Sequence, residues 1–192
     1  MRGAVAASVA GIVLLPAALG LAGCAAASAP RVAPVAATAD DLPYNLTDVL
    51  FTREMILHYQ QAVILAELVP GRGGSAYVRE VAGRITRDER PKIDALAGTL
   101  RAWSFQVPDL KEPPKHNMDG MLSPAQLLML RKRSGAEFDR LWLTTLARHY
   151  TYGVRLADKA RAEGKDRATV ARAGAAGTAQ RALVTEIVRH LS

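Results

Sequence analysis

The chain has 192 residues, a formal net charge of +7 at pH 7 and a single cysteine. Almost half of its residues are hydrophobic, which is typical of a globular protein and excludes an intrinsically disordered chain. One cysteine excludes a disulfide framework. The positive charge does not indicate nucleic-acid binding, because the arginines are scattered among acidic residues and form no patch interleaved with aromatic residues.

The first 23 residues have the order of a secretory signal peptide: Arg2, an apolar run from about residue 11 to residue 21, and then small residues. The tetrapeptide "LAGC", which ends at Cys24, resembles the bacterial lipobox, whose cysteine becomes the lipid-modified first residue of the mature protein. We therefore predict that residues 1–23 are removed and that acylated Cys24 holds the protein at the outer face of the bacterial cell membrane. An uncleaved membrane anchor is the alternative, because the run is almost long enough to span a bilayer.

Residues 24–44 are rich in alanine and proline and show no periodicity, which predicts a flexible tether. The remaining segment, residues 45–192, has close to the commonest size of a single domain. If Cys24 is acylated, this domain has no thiol and therefore neither a disulfide nor a thiolate metal ligand. Side-chain packing must then supply its stability.

In the first half of the domain, the sequence predicts two helices and a long connection. Apolar residues recur at nearly 3.6-residue spacing from Leu46 to Leu68, and "PGRGG" at residues 70–74 ends this helix. Ser75 can cap a second helix that runs to about residue 100 or 103, and Pro91 is expected to kink or interrupt it. Residues 107–121 contain three prolines and a glycine, which exclude a regular element.

In the second half, Ser123 and Pro124 mark the start of a short helix that ends near residue 134. A long helix follows from about residue 136 to residue 162 and is closed by Gly164. The last helix covers about residues 166–191, and Gly174 and Gly177 interrupt its pattern. Because strand signals are nearly absent, four principal helices predict an all-α protein with a four-helix bundle.

The chain also contains an internal repeat. "MILHYQQAVILA" at residues 55–66 returns as "LARHYTYGVRLA" at residues 146–157, so that His58 matches His149 at an offset of 91 residues (from 58 to 149). Asp48 matches Asp139 at the same offset, whereas the second helices match only after an insertion, "KIDAL" at 92–96 with "EIVRH" at 186–190. The repeat predicts two helical hairpins related by a pseudo-twofold axis, with the two His-Tyr pairs facing each other across the core.

The repeated helix with its His-Tyr pair, the Met-x-x-His turn of its first copy, the segment "MDGM" at residues 118–121 and the following "LSPAQLLMLRKRSGAEFDRLWL" at 122–143 resemble the domain of unknown function 305 family. The resemblance covers almost the whole domain and implies a ferritin-like bundle that is often exported. Some members of that family are associated with copper or other metal handling. The chain departs from the family pattern at two places. The family usually has paired histidines where this chain has His-Tyr. It usually also has a methionine before the second pair, where this chain has Thr145 and Leu146.

One candidate metal site follows from the residues. Met55 and His58 lie three residues apart and so share a helical face, and thioether and imidazole together suit a soft ion such as Cu(I). His149 can join from the duplicated helix, and Met118 and Met121 can close over the site from the connection. In the alternative interpretation Met55 fills the core and both histidines are structural. Copper is the one cofactor that these residues suggest.

Enzymatic chemistry has little support. The sequence has no Glu-x-x-His turn for a di-iron centre, no Gly-x-Ser-x-Gly elbow, no His-Glu-x-x-His motif and no glycine-rich phosphate loop. We therefore expect a non-enzymatic, lipid-anchored protein of the cell envelope that binds a soft metal ion. The alternative is a degenerate bundle that has lost the metal site and serves as a structural or partner-binding lipoprotein. The sequence identifies the membrane as a partner and names no protein partner.

Overall fold

The computed structural model describes residues 41–72, 74–111 and 118–192. The predicted signal peptide (1–23), Cys24 and most of the predicted tether (24–44) lie outside these residues. The described part is helical and contains no strand, and none of its helices is long and apolar enough to cross a membrane. Its helices are α1 (Leu46–Glu67), α2 (Ala76–Ala102), α3 (Pro124–Arg131), α4 (Gly135–Glu163) and α5 (Arg167–Leu191).

Side-chain caps explain where most of these helices begin. Asn45 forms a capping box with Asp48 at the start of α1, and Ser75 accepts a hydrogen bond from the Val78 amide at the start of α2. Ser123 forms a second capping box before Pro124 at the start of α3. The predicted start signals at Ser75 and Ser123 are therefore confirmed.

The predicted interruption at Pro91 is wrong, because α2 continues through this residue, which lies on the exposed side of the helix. The kink that was predicted as the alternative stays a prediction. The Arg87 carbonyl, which loses its amide donor to the proline, is also on the exposed side and can bind water instead. The last helix is confirmed over nearly its predicted range, because α5 continues through Gly174 and Gly177. A Cβ placed on Gly177 would contact Ala157 Cβ at 3.4 Å, so this side of α5 packs directly on α4.

The four long helices pack as two hairpins, α1 with α2 and α4 with α5, and α1 and α4 meet between them. Two clusters of buried side chains fill the space, one around Trp142 and Leu65 and the other around Phe51 and Leu100. The predicted all-α four-helix bundle made of two hairpins is confirmed, with the short α3 as an addition. The ferritin-like topology stays a prediction.

The repeat extends over the second helices at the same offset, so the predicted insertion is wrong. Glu89 of α2 and Gln180 of α5 are separated by 91 positions (from 89 to 180), and each is 4% exposed. The same offset relates other buried residues of the two helices, which places all of them on the core-facing side. These pairs are Val78 with Thr169, Ala82 with Ala173, Ile85 with Ala176, and Leu96 with Ile187.

Two aspartates at the repeat offset connect the hairpins to each other. Asp48 Oδ2 in α1 accepts hydrogen bonds from the amides of Lys165 and Asp166, both at 2.9 Å, at the start of α5. Asp139 Oδ2 in α4 accepts a hydrogen bond of 2.7 Å from the Ser75 amide at the start of α2. Ser75 and Asp166 are themselves 91 positions apart, so the contacts are reciprocal, as a twofold axis requires. We call Asp48 and Asp139 the hairpin aspartates.

Candidate functional site

The two histidines of the repeat meet in the core between α1 and α4. The rings of His58 and His149 are stacked, with their centroids 3.7 Å apart and their planes inclined by 15°. His58 is 1% exposed and His149 is fully buried. The facing of the two His-Tyr pairs that the repeat predicts is therefore present in the structure.

His149 is held by the backbone. Its Nδ1 lies 3.0 Å from the Gly120 carbonyl oxygen, and its Nε2 lies 3.1 Å from the His58 carbonyl oxygen. Burial lowers the pKa of His149, and the two carbonyls oppose that shift. Because a neutral imidazole has one N–H group, it can donate to only one of these oxygens. Both nitrogens thus face carbonyls, and neither is open to another ligand in this arrangement.

His58 has a different environment, although it occupies the equivalent position. Its Nδ1 and Nε2 are both buried and have no hydrogen-bond partner of normal geometry. Burial lowers the pKa of His58 well below its ordinary value, and the charge of His149 lowers it further. The backbone of His149 opposes both effects, although it lies outside normal hydrogen-bond geometry. His58 is therefore a neutral imidazole whose N–H group and whose one free nitrogen lone pair are both without a partner.

Met55, His58 and Gln180 converge next to the histidine stack. Met55 lies one turn before His58, is fully buried, and has its thioether sulfur 3.6 Å from Gln180 Nε2. Gln180 Oε1 is buried without a hydrogen-bond partner. A Cβ placed on Gly153 would overlap Gln180 Oε1 and lie 2.9 Å from His58 Cε1. The absence of a side chain at Gly153 thus creates the space in which these three side chains meet.

A second polar group adjoins this space. Tyr150 donates a short hydrogen bond to Glu89 Oε1, whereas Glu89 Oε2 is buried without a partner. Burial raises the pKa of Glu89 to about 8, although Tyr150 and Lys92 oppose the shift. Tyr59 interacts with Gln180 at the equivalent position. All five residues line an open cleft of about 230 Å³, which connects the polar core with solvent.

The segment that carries Met118 and Met121 attaches to the same region. Gly120 binds His149 through its carbonyl and has a φ of 76°, and a Cβ there would overlap the Tyr152 side chain. Gln61 binds both the amide and the carbonyl of Leu122, at 2.6 and 3.0 Å. Met118 and Met121 are both half-buried on this segment.

The predicted site residues are therefore brought together to different degrees. Met55, His58 and His149 are neighbours in one core, and Met118 and Met121 flank the glycine that binds His149. In the part of the chain that is described, no three histidine, cysteine, aspartate or glutamate side chains gather closely enough to hold a metal ion. A metal site here must include the thioether or the carboxamide.

The sequence prediction did not include Gln180 and Gly153 among the site residues. The signal for Gln180 was the repeat offset of 91, which leads from Glu89 to Gln180 once no insertion is assumed. The same offset pairs Gly153 with Ala62, so both copies have a small residue at this place.

Comparisons with known proteins place the fold. The model of the family described as "Domain of unknown function (DUF305)" matches residues 48–191. A DUF305 fragment from Deinococcus radiodurans is similar in structure, with a TM-score of 0.68 and 24% identity over 78% of this chain and 98% of that chain. No curated protein matches the chain significantly. Because the match covers 98% of that chain, the shared fold accounts for nearly all of the Deinococcus fragment.

Two further solved structures resemble the chain. A candidate secreted DUF305 protein from Streptomyces coelicolor has a TM-score of 0.66 and 23% identity over 73% of this chain and 88% of that chain. CopM in its Cu(I)-bound form has a TM-score of 0.59 and 20% identity over 74% of this chain and 93% of that chain. At these identities the likenesses establish a shared fold.

Proposed function

Because the chain belongs to the DUF305 family, we propose that it is an exported, lipid-anchored and non-enzymatic bundle that binds a soft metal ion, Cu(I), through His58 and Met55. The observation that carries the proposal is the pair of buried nitrogens on His58 that have no hydrogen-bond partner. Buried polar atoms in native proteins are nearly always paired, so an unpaired imidazole in the core indicates a ligand that it can bind. Its lowered pKa keeps one of the two nitrogens without a proton, so that the lone pair of that nitrogen can bind the ion.

The donor atoms fit a soft ion better than a hard one. The thioether of Met55 and the imidazole of His58 lie on consecutive turns of α1 and are both in the core. Sulfur and imidazole nitrogen select Cu(I), whereas Mg²⁺ and Ca²⁺ prefer several oxygen ligands. When bound, the ion would lie among buried side chains, and the cleft lined by Glu89 and Gln180 would be its route to solvent. The Gln180 carboxamide, which contacts the Met55 sulfur, would orient that ligand.

The other predicted ligands have lesser roles in this proposal. His149 stacks against the His58 ring and fixes its position, and it can become a ligand only if it leaves a backbone carbonyl. Met118 and Met121 are accessory candidates on the segment next to Gly120. The likeness to CopM in a Cu(I)-bound form supports the choice of metal, because that protein shares the fold.

A second candidate function rests on His149. Its ring contacts the carbonyls of Gly120 and His58, so it ties the connection before α3 to the helix core. A histidine used in this way is a structural element, as in a degenerate bundle that acts as a structural or partner-binding lipoprotein of the envelope. The two candidates differ in whether His58 binds an ion.

Titration of residues 41–192 with Cu(I) against a chromophoric chelator, without oxygen, tests the proposal. This fragment has no cysteine, so thiol binding cannot mimic the result. We expect one tightly held ion in the native fragment and a loss of about tenfold or more in affinity in Met55→Leu, since leucine keeps the volume but removes the soft ligand. His58→Ala should show the same loss.

The matched controls are Met129→Leu and His190→Ala, which change the same residue types at exposed positions. They should bind Cu(I) like the native fragment. If the native fragment takes up no ion, or if Met55→Leu and His58→Ala bind as tightly as the controls, the metal proposal is wrong and the structural alternative stands.

A further inference from the structure

Helix α3 presents an apolar surface to solvent. Of its eight residues only Leu130 is fully buried, whereas the adjacent Leu128 and Met129 are 51% and 53% exposed. Large apolar side chains that are half-exposed and adjacent indicate an interaction surface more strongly than scattered ones do. They lie beside a mostly apolar groove of about 260 Å³ between α3 and α4.

Positive charge surrounds this apolar surface. Residues 122–136 contain Arg131, Lys132 and Arg133 and no acidic residue. Arg133 pairs with Glu137 at 2.7 Å, whereas Arg131 and Lys132 are exposed at the end of α3. Arg148, from α4, is exposed and lines the same groove as Met129. We call Leu128, Met129, Arg131, Lys132 and Arg148 the α3 face.

The combination favours a lipid surface over a protein. Exposed apolar side chains that enter the acyl boundary, next to cations that meet phosphates, are the features by which peripheral helices bind anionic bilayers. A stable protein interface buries about 800 Å² on each partner and concentrates charge at its rim. The α3 face has only two exposed apolar side chains, which provide a small part of that area. Its three cations lie beside these side chains and not at a distant rim.

We propose that the α3 face docks on an anionic lipid bilayer, with Leu128 and Met129 inserted and Arg131, Lys132 and Arg148 on the headgroup phosphates. This contact is separate from the predicted acyl group and from the metal site. Residues 25–40 separate Cys24 from Asp41 and would span at most about 60 Å when extended. The acyl anchor therefore leaves the orientation of the bundle open, and the α3 face determines which side meets the membrane.

Co-sedimentation of residues 41–192, which lack the acylation site, tests the proposal. The vesicles are phosphatidylcholine with and without phosphatidylglycerol. We expect the native fragment to bind the anionic vesicles and to be released by high salt. The double variant Leu128→Ser, Met129→Ser should bind about tenfold more weakly, and Arg131→Gln, Lys132→Gln should show a similar loss together with a weaker salt dependence.

Matched variants place the same changes elsewhere on the surface. Leu46→Ser, Val188→Ser removes two other exposed apolar side chains, and Arg167→Gln, Arg189→Gln removes two exposed cations of α5. Both should bind like the native fragment, and thermal unfolding verifies that every variant is folded. The proposal is overturned if the native fragment ignores anionic vesicles, if Leu128→Ser, Met129→Ser binds normally, or if the matched variants lose as much. Should the serine variant unfold, the glutamine variant and its match decide the outcome.

Discussion

Glu89 and Gln180 occupy equivalent places in the two halves of the core, and only one of them can ionise. Burial raises the pKa of Glu89 from its ordinary 4.5 to about 8, so the folded protein holds this proton up to mildly alkaline pH. The stability that Glu89 contributes is therefore fully present below pH 4.5 and is lost as the pH rises through about 8. Gln180 shows that a neutral amide fits the equivalent place.

Glu89→Gln should make the protein more stable at alkaline pH. The amide oxygen can still accept the hydrogen bond from Tyr150, and no buried charge develops. We expect little change at pH 4.5 and a gain of up to about 5 kcal/mol in the free energy of unfolding at pH 9, since each unit of pKa shift corresponds to about 1.4 kcal/mol. Urea unfolding at both values measures this.

The control for this substitution is Asp94→Asn, which removes an exposed carboxylate of the same helix. Its unfolding free energy should depend on pH as in the native protein. If Glu89→Gln and Asp94→Asn behave alike at pH 9, the burial of the Glu89 charge has no role in stability.

At this scale the sequence predicts which residues meet, but only part of what they do. The repeat was sufficient to place His58 against His149. It could not predict that His149 binds two carbonyls while both nitrogens of His58 stay unpaired. The difference comes from Gly120, which belongs to a connection that has no counterpart in the repeat.

The hairpin aspartates are the clearest feature at the level of elements. Asp48 is fully buried, and one of its oxygens accepts hydrogen bonds from three amides, those of Asn45, Lys165 and Asp166. Asp139 is half-buried and accepts from one amide, that of Ser75. The two equivalent aspartates thus accept different numbers of hydrogen bonds from backbone amides.

Asp48→Ala should therefore cost more stability than Asp139→Ala. We expect a loss of about 3 kcal/mol for the first and about 1–2 kcal/mol for the second, because each substitution leaves its amide donors without an acceptor. Urea unfolding of both variants gives the comparison. Asp48→Asn, which keeps one acceptor oxygen and the volume, should lie between native and alanine. Equal losses for the two alanine variants would contradict this account.

Helix positions followed from local signals, and the error at Pro91 has one cause. Ser75, Ser123 and Gly164 marked helix ends correctly, because capping depends on residues close in sequence. The interruption at Pro91 was wrong, because the effect of a proline depends on whether its side of the helix faces water or a neighbouring helix. That information comes from tertiary packing.

For the whole molecule, the membrane attachment is the main untested prediction. Cys24 is the only thiol of the chain, so no other residue can replace it as a thioether-linked acyl site. Cys24→Ala should abolish incorporation of labelled palmitate completely, whereas the native chain should be labelled. Labelling of the variant, or none in the native chain, would show that the lipobox resemblance misleads.

The hairpin aspartates also bear on how such a chain arises. Each hairpin has one hairpin aspartate and also the backbone amides that donate to such an aspartate. The hydrogen bonds from the start of α2 and of α5 to these aspartates all connect one hairpin with the other. A lone hairpin would leave these groups to water, whereas a second copy of it could bind them. The bundle thus has the symmetry of a homodimer, and duplication of a hairpin gene with fusion through one connection would yield this chain. Divergence of the two halves would then account for a glutamate in one half where the other has a glutamine, and for one histidine that binds carbonyls while its twin does not.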